Sequence, residues 1–324
     1  MSSSTGSMLD PIAAELEEFE RRLHQTVSAD LGPMAEAMEH IVNAGGKRLR
    51  PALVILSAGL GEPSPDHVFA LAMGIEFIHT ATLIHDDLID DAETRRGLAT
   101  IRAILGANPA IIVGDYYFAK GANLTSSIGI PAIDEIISAT VMTICMGELL
   151  QLTSKCDYDQ SVDAYYRKIE RKTATLLSAS TYCGSIVARL DETHRETLRR
   201  YGHLLGMAFQ IADDVLDYTA TEAQVGKPTG ADLKQGTVTL PLMYGLRDPD
   251  VEPRLRRILA REPLEDGDYS EVVDLVRDSA AIALAERHAH EFADRAKQEL
   301  RVFPESETRA TLESLCDYVV ERRV

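Results

Sequence analysis

Apolar positions recur at helical spacing along nearly the whole chain. Ile12, Leu16, Phe19, Leu23 and Val27 fall at steps of four and three, one face of a helix. Asp66 to Asp91 is mostly apolar and Ala-rich and ends in acids. Pro109 to Leu124 predicts another helix, with Pro109 near its first turn. Ile133 to Thr153 and Ser161 to Leu190 follow. Glu192 to Tyr218 is a further long periodic run that again ends in acids. The near-continuous apolar character of the two acid-ended runs predicts burial on most sides. No alternation of period two stands out, so strands are not expected. Pro and Gly mark loops at Gly61–Pro65, Arg95–Gly97, Ser127–Pro131, Gly226–Gly230 and Arg261–Asp268. None is a long low-complexity linker. The expected organisation is a disordered stretch over residues 1–8 and a single all-helical domain over 9–324.

Composition narrows this picture. The chain has 324 residues, 45% apolar and 26% charged, as in soluble globular proteins. Its net charge of −18 argues against nucleic-acid binding, which rests on Lys and Arg neutralising phosphates. An anionic ligand then needs a local cationic cluster or metal ions. Cys145, Cys156, Cys183 and Cys316 are scattered, with no CxxC pair, and read as reduced thiols of a cytoplasmic protein. The first residues lack the basic start and apolar run of a signal peptide. No uncharged apolar stretch approaches the roughly 18 residues of a membrane span.

The chemistry is concentrated in two acidic motifs. Asp86-Asp87-Leu88-Ile89-Asp90 and Asp213-Asp214-Val215-Leu216-Asp217 both read DDxxD. Positions i and i+4 share a helix face, so Asp86 pairs with Asp90 and Asp213 with Asp217. Clustered carboxylates on an apolar helix repel one another and call for a cation. An oxygen-only donor set favours Mg²⁺ or Mn²⁺ over Zn²⁺. Mg²⁺ binds through one or two carboxylates plus substrate phosphates, so two such clusters suit a metal-bridged diphosphate. A single DDxxD is equally well a solvated helix end; two copies, each closing an apolar helix, make that reading weaker.

Gly45-Gly46-Lys47-Arg48-Leu49-Arg50-Pro51 sets three cations behind a glycine pair, and Lys and Arg are phosphate donors. Arg95-Arg96 follows the first acidic motif, and Lys172, Lys227 and Lys234 add further cations. His79 lies two helical turns before Asp86, on the same face. It suits either a core hydrogen bond or phosphate binding.

Taken in order, GGKRLRP (45–51), IHTATLIHDDLIDDAETRRG (78–97), VGDYYFAK (113–120), GELLQL (147–152), KTA (172–174), FQIADDVLD (209–217) and GKPTGADLKQGTVTLPL (226–242) resemble the trans-isoprenyl diphosphate synthase, or polyprenyl synthetase, family. The resemblance implies an all-α bundle of long helices around a deep central cavity, and a homodimer. It implies head-to-tail condensation of isopentenyl diphosphate with an allylic diphosphate such as farnesyl or geranylgeranyl diphosphate. Three Mg²⁺ per site are implied, with Mn²⁺ as a substitute. The implied metal ligands are Asp86, Asp87 and Asp90 on one side and Asp213, Asp214 and Asp217 on the other. Arg95, Lys172, Gln210 and Lys227 would grip the allylic diphosphate. Gly46, Lys47, Arg50, His79 and Arg96 would hold isopentenyl diphosphate. Thr173 and Gln210 would orient the developing cation.

The resemblance also bears on product length: in that family bulky aromatic residues at the positions of Ala81 or Thr82 stop elongation early, and here both are small, with Ile78 and Gly74 further back along the same helix. Gly74 is expected to leave extra room. Together they imply a product longer than C20, about six to ten isoprene units. Tyr116, Tyr117 or Phe118 is the alternative floor. Small residues there for helix packing alone are the competing explanation. Alternative functions are a short-chain farnesyl or geranylgeranyl diphosphate synthase, a terpene cyclase or squalene/phytoene type enzyme, and a non-catalytic partner subunit. Peripheral membrane contact for product release stays open.

Overall fold

The computed structural model describes residues 8–29, 37, 39–42, 45–220 and 229–321. Residues 1–7, most of the segment expected to be disordered, lie outside these, as does Lys227. The described chain is almost wholly helical. It forms two compact units, each drawn from three separate stretches. The first takes Met1–Thr140, Leu176–Arg200 and Leu300–Ser314; the second takes Val141–Thr175, Tyr201–Glu299 and Leu315–Val324.

In the first unit, α1 (Ala13–Ser28) buries Phe19, Leu23 and Val27, the stripe its spacing predicts. Next, α2 (Leu49–Ala58) is short and buried on nearly every side. The 25-residue α3 (Pro65–Ile89) opens with a proline in its first turn and buries residues all round, from Val68 to Ile84. A two-residue antiparallel ladder follows, β1 (Thr94–Arg95) with β2 (Leu98–Ala99). Arg96 (φ 51°) and Gly97 (φ 77°) form its turn. Positive φ at both central residues matches the twist of a tight hairpin. The sequence read this segment as a loop. After α4 (Ile101–Leu105), α5 (Ala107–Ser126) lies against α3.

Two glycines set that approach. A Cβ on Gly121 would lie 2.7 Å from the Gly74 carbonyl and 2.8 Å from Ile78 Cγ1, and one on Gly74 would lie 2.6 Å from Thr125 Cγ2. The missing side chain of Gly74 is therefore taken up by α5. This corrects the expectation that Gly74 leaves room for a growing product.

In the second unit, α7 (Val162–Ile169) runs into a π-helical turn (Glu170–Ala174); α8 (Thr175–Val187), which continues the chain, belongs to the first unit from Leu176 onward. The core of the second unit gathers Tyr165, Ile169, Ile211, Val215, Tyr218, Leu240 and Val272, among others. The helix preceding these, α6 (Pro131–Thr153), begins in the first unit, and α9 (Glu192–Thr219) carries the second acidic motif. Shorter helices α10 (Ala231–Lys234), α11 (Leu240–Gly245), α12 (Glu252–Leu259) and α13 (Asp266–Arg277) precede α14 (Ala281–Glu299) and α15 (Glu307–Glu321).

Two helices, α3 and α6, are long and apolar enough to cross a bilayer by length and composition, since only a few charges interrupt them. Neither contains an uncharged apolar run of membrane-spanning length, as the sequence indicates. In α3 67% of the apolar window is buried inside the protein; in α6 only 22% is. The exposed apolar face of α6 carries Met142, Met146, Leu149 and Leu152.

Candidate active site

The first unit carries the basic loop. Gly45 (φ 64°) and Arg48 (φ 48°) both sit in the left-handed region just before α2. An arginine there is uncommon and must be held in place. Two carboxylates hold it: Arg48 Nε lies 2.5 Å from Glu20 Oε1 and Nη1 lies 2.8 Å from Glu76 Oε1. The Arg48 and Glu76 side chains are 12% and 9% exposed. Two residues on, Arg50 Nη1 donates to His79 Nε2 at 3.0 Å. Arg50 Nε is buried without a protein partner. Arg96 donates to the Gly45 carbonyl, and its guanidinium covers Gly46 so closely that a Cβ there would stand 2.8 Å from Nη1. Gly45, Arg48, Glu76, His79, Asp87, Arg95 and Arg96 line one pocket. Of the five residues expected to hold isopentenyl diphosphate, Gly46, Arg50, His79 and Arg96 are thus brought together. Lys47 is exposed on the same loop.

The charges here are mostly of one sign. Burial, followed by the nearby Arg50, Arg96, Arg95 and Arg48, pushes the His79 imidazole well below its usual range. Burial likewise pushes Arg50 down to about 10, with Arg96 adding to the effect and Glu76 opposing it. A neutral imidazole also fits the geometry, because Nε2 must accept from Arg50. The stability consequence follows from proton linkage. The unfolded chain protonates His79 near pH ~6.5 while the folded chain resists it. His79 therefore favours the fold above that pH, and this contribution is lost as pH falls below it. A His79→Gln variant should lose less melting temperature than the parent between about pH 7.5 and about pH 5.5. Parallel pH melts measure this, and identical slopes would contradict it.

The first acidic motif ends α3. Asp86 and Asp90 are half-buried and one turn apart, with the Asp90 amide donating to the Asp86 carbonyl at 2.8 Å. Carboxylates at a helix C-terminus face the negative end of its dipole, so a cation is needed there all the more. Asp87 behaves differently. It is 7% exposed and accepts from Arg95 Nε at 2.7 Å. One expected diphosphate-gripping cation is therefore tied to one expected ligand. Upstream on α3, Ala81 is fully buried and Ile78 is 1% exposed. Thr82 is half-buried and donates to the His79 carbonyl at 2.6 Å. Among Tyr116, Tyr117 and Phe118, only Tyr117 is buried, at 1%, with its ring 5.3 Å from that of Phe77.

The second unit carries the rest. Ser161 caps α7 by accepting from the Ala164 amide at 3.2 Å. The π turn that follows widens the helix by one residue, and such bulges are frequent at functional sites. It is seated by two glycines. A Cβ on Gly147 would lie 2.8 Å from the Lys172 amide nitrogen, and one on Gly206 would lie 2.5 Å from Ala174 Cα. The turn presents Lys172, whose Nζ lies 2.5 Å from Glu148 Oε2. It also presents Thr173, whose hydroxyl donates to Gln210 Oε1 at 2.7 Å.

The three aspartates of the second motif diverge. Asp213 is exposed. Asp217 accepts from the Ala231 and Asp232 amides, both at 3.1 Å, and so caps α10. Asp214, 3% exposed, accepts from Tyr165 hydroxyl and from Gln210 Nε2, each at 2.7 Å. Burial pushes Asp214 up to about 7, against the pull of the Tyr165 and Gln210 hydrogen bonds. Burial and the Asp214 charge push Tyr165 well above the usual phenol range. Sequence reasoning singled out neither Tyr165 nor Glu148. Tyr165 lies seven residues before Lys172, a helical signal that the π turn disguises.

Among the described residues no three His, Cys, Asp or Glu side chains converge as a ready-made metal cage. Mg²⁺ does not require one, since substrate phosphates and water complete its shell. Asp86 with Asp90, and Asp213, are oxygen donors of the kind it takes.

The sequence profile of the polyprenyl synthetase family matches residues 33–276. A heptaprenyl diphosphate synthase component 2 from Geobacillus stearothermophilus is 38% identical over 97% of this chain and 96% of its own. The crystal structure of a heptaprenyl diphosphate synthase from Staphylococcus aureus superimposes with a TM-score of 0.92 at 32% identity, covering 97% of this chain and 99% of the other. So does that of a Caulobacter crescentus polyprenyl synthase complexed with calcium and isoprenyl diphosphate, with a TM-score of 0.92 at 34% identity over 99% and 98%. With the ordered motifs on their helices and matches of this extent, the chain belongs to the polyprenyl synthetase family.

Proposed function

We propose that the chain is a trans-polyprenyl diphosphate synthase, which adds isopentenyl diphosphate head-to-tail to an allylic diphosphate and releases products longer than C20. The observation that carries this reading is the joint presence of two helix-borne DDxxD motifs and a basic pocket built from Arg48, His79, Arg95 and Arg96. Asp86 and Asp90, and Asp213, would hold Mg²⁺, which would supply positive charge to the diphosphate leaving the allylic carbon. Lys172, Arg95 and Lys227 neutralise that diphosphate further. Gly46, Lys47, Arg50, His79 and Arg96 hold isopentenyl diphosphate, and Gly46 lets the Arg96 guanidinium lie close against the backbone. Thr173 and Gln210 turn oxygens toward the developing carbocation. The departing diphosphate takes the proton lost after condensation, so no side-chain base is required. Chelation should abolish turnover and added Mg²⁺ should restore it; turnover that survives chelation would refute the reading.

The long product is supported by Ala81, which is fully buried on α3 and small. Ala81→Phe should shift the product distribution toward shorter chains by mass spectrometry. Unchanged lengths would place the limit elsewhere, with Tyr117 the next residue to vary. A homodimer is supported by the exposed apolar face of α6. A cytoplasmic location is supported by four free cysteines. The designation of the Geobacillus relative as a component favours a second reading, in which this chain works with another protein. Elongation by the purified chain alone separates the two.

A further inference from the structure

Asp214 stands apart within its motif. Its neighbour Asp213 is exposed, whereas Asp214 is 3% exposed with a donor on each oxygen. A hydrated Mg²⁺ needs open space around its ligand, which Asp214 lacks. Around it runs a continuous chain of hydrogen bonds, from the Tyr165 hydroxyl to Asp214, from Gln210 to Asp214, and from Thr173 to Gln210, each at 2.7 Å. On the same helix as Tyr165, Lys168 is 4% exposed and donates to the Val238 carbonyl at 3.2 Å. Its charge favours the ionised form of Asp214.

We infer, resting on the function proposed above, that Asp214 is the anchor of Gln210 rather than a metal ligand, and that Tyr165 is a positioning residue for the prenyl transfer. The direction of each bond follows from what the groups can do. A carboxylate only accepts, so Gln210 turns its NH₂ toward Asp214. Its carbonyl oxygen then points the other way, to Thr173. A hydroxyl has one proton, and Thr173 gives it to that carbonyl. Thr173 Oγ1 is left with lone pairs, the polarity that suits a neighbouring carbocation. Tyr165 holds the second oxygen of Asp214 and so stops the carboxylate from rotating. Removing the phenol hydroxyl frees that rotation without touching a charge, a cation or a metal donor. Orienting partners of this kind affect the reaction more than the binding of substrate.

The test compares Tyr165→Phe, Asp214→Asn and Asp213→Ala with the parent. Turnover is measured with isopentenyl and farnesyl diphosphates, and binding of Mg²⁺ with inorganic pyrophosphate by calorimetry. Tyr165→Phe should lower kcat by about 10- to 100-fold, with KM values within about twofold and circular dichroism showing a folded protein at the assay temperature. Pyrophosphate affinity in Mg²⁺ should stay within about threefold of the parent for both Tyr165→Phe and Asp214→Asn, and should fall clearly for Asp213→Ala. An unchanged kcat in Tyr165→Phe would overturn the inference. So would an Asp214→Asn variant that loses as much pyrophosphate affinity as Asp213→Ala. A parent that forms no prenyl product would refute the proposed function instead, and the calorimetric comparison would still decide the role of Asp214.

Discussion

Replacing Asp86 by alanine should lower turnover by about 10³-fold or more while leaving the helices intact. Asp86 is half-buried in the last turn of α3, one turn from Asp90. On the function proposed above, it would hold positive charge where negative charge accumulates on the leaving diphosphate, the situation in which fixed charge matters most. Asp87 is 7% exposed and engaged by Arg95, so it cannot swing into the vacated place without breaking that pair. The fold should tolerate the change, because the substitution removes a carboxylate from the negative end of a helix dipole. Steady-state kinetics at saturating substrates, with circular dichroism as a check on folding, measure both parts. Turnover within about tenfold of the parent would refute the metal-donor role.

The largest effect on stability is expected at Arg48. Its guanidinium, 12% exposed, pairs with Glu76, 9% exposed, and it also pairs with Glu20. Deleting one member of a buried pair leaves the other charge without its partner, at a cost of about 3 kcal/mol. Arg48→Ala should therefore destabilise the protein by about that amount in denaturant unfolding. The left-handed backbone at residue 48 would lose its tether as well. Combining Arg48→Ala with Glu76→Gln should recover part of the loss, since the stranded carboxylate is then gone. A loss under about 1 kcal/mol for Arg48→Ala would show that the pair is structurally idle.

Much of this architecture is legible in the sequence, and the exceptions have physical causes. The runs ending in DDxxD became α3 and α9, because long apolar periodicity leaves little choice but a buried helix. Ser161 to Leu190 was legible as helix but not as helix interrupted. The π turn at Glu170–Ala174 has no Pro or Gly within it and is imposed by Gly147 and Gly206, far along the chain. The hairpin at Thr94–Ala99 has strands of two residues, too short for any alternation to show. Pro109 falls two residues inside α5 rather than at its start, as Ala107 begins the helix. Gly74 illustrates the ambiguity of a glycine: the sequence allowed an open space, and the structure filled it with Thr125 and the Gly121 backbone.

For the candidate site, the motifs are local in sequence, but the pairings that the structure adds to them are long-range. Asp214 with Tyr165 spans 49 residues and Arg48 with Glu76 spans 28. No local spacing rule reaches that far. The division of roles inside each DDxxD was also hidden. The sequence treats the three aspartates of a motif alike, whereas burial separates Asp87 and Asp214 from the others.

The most direct test of the central claim is the product itself. The purified chain is incubated with Mg²⁺, isopentenyl diphosphate and either farnesyl or geranylgeranyl diphosphate, and chain lengths are read by mass spectrometry. A ladder of trans prenyl diphosphates that ends on one dominant species longer than C20 is the result the account predicts. A reaction that stops at C15 or C20 would contradict the long-chain assignment, and the absence of any product with either primer would contradict the catalytic assignment of this chain on its own.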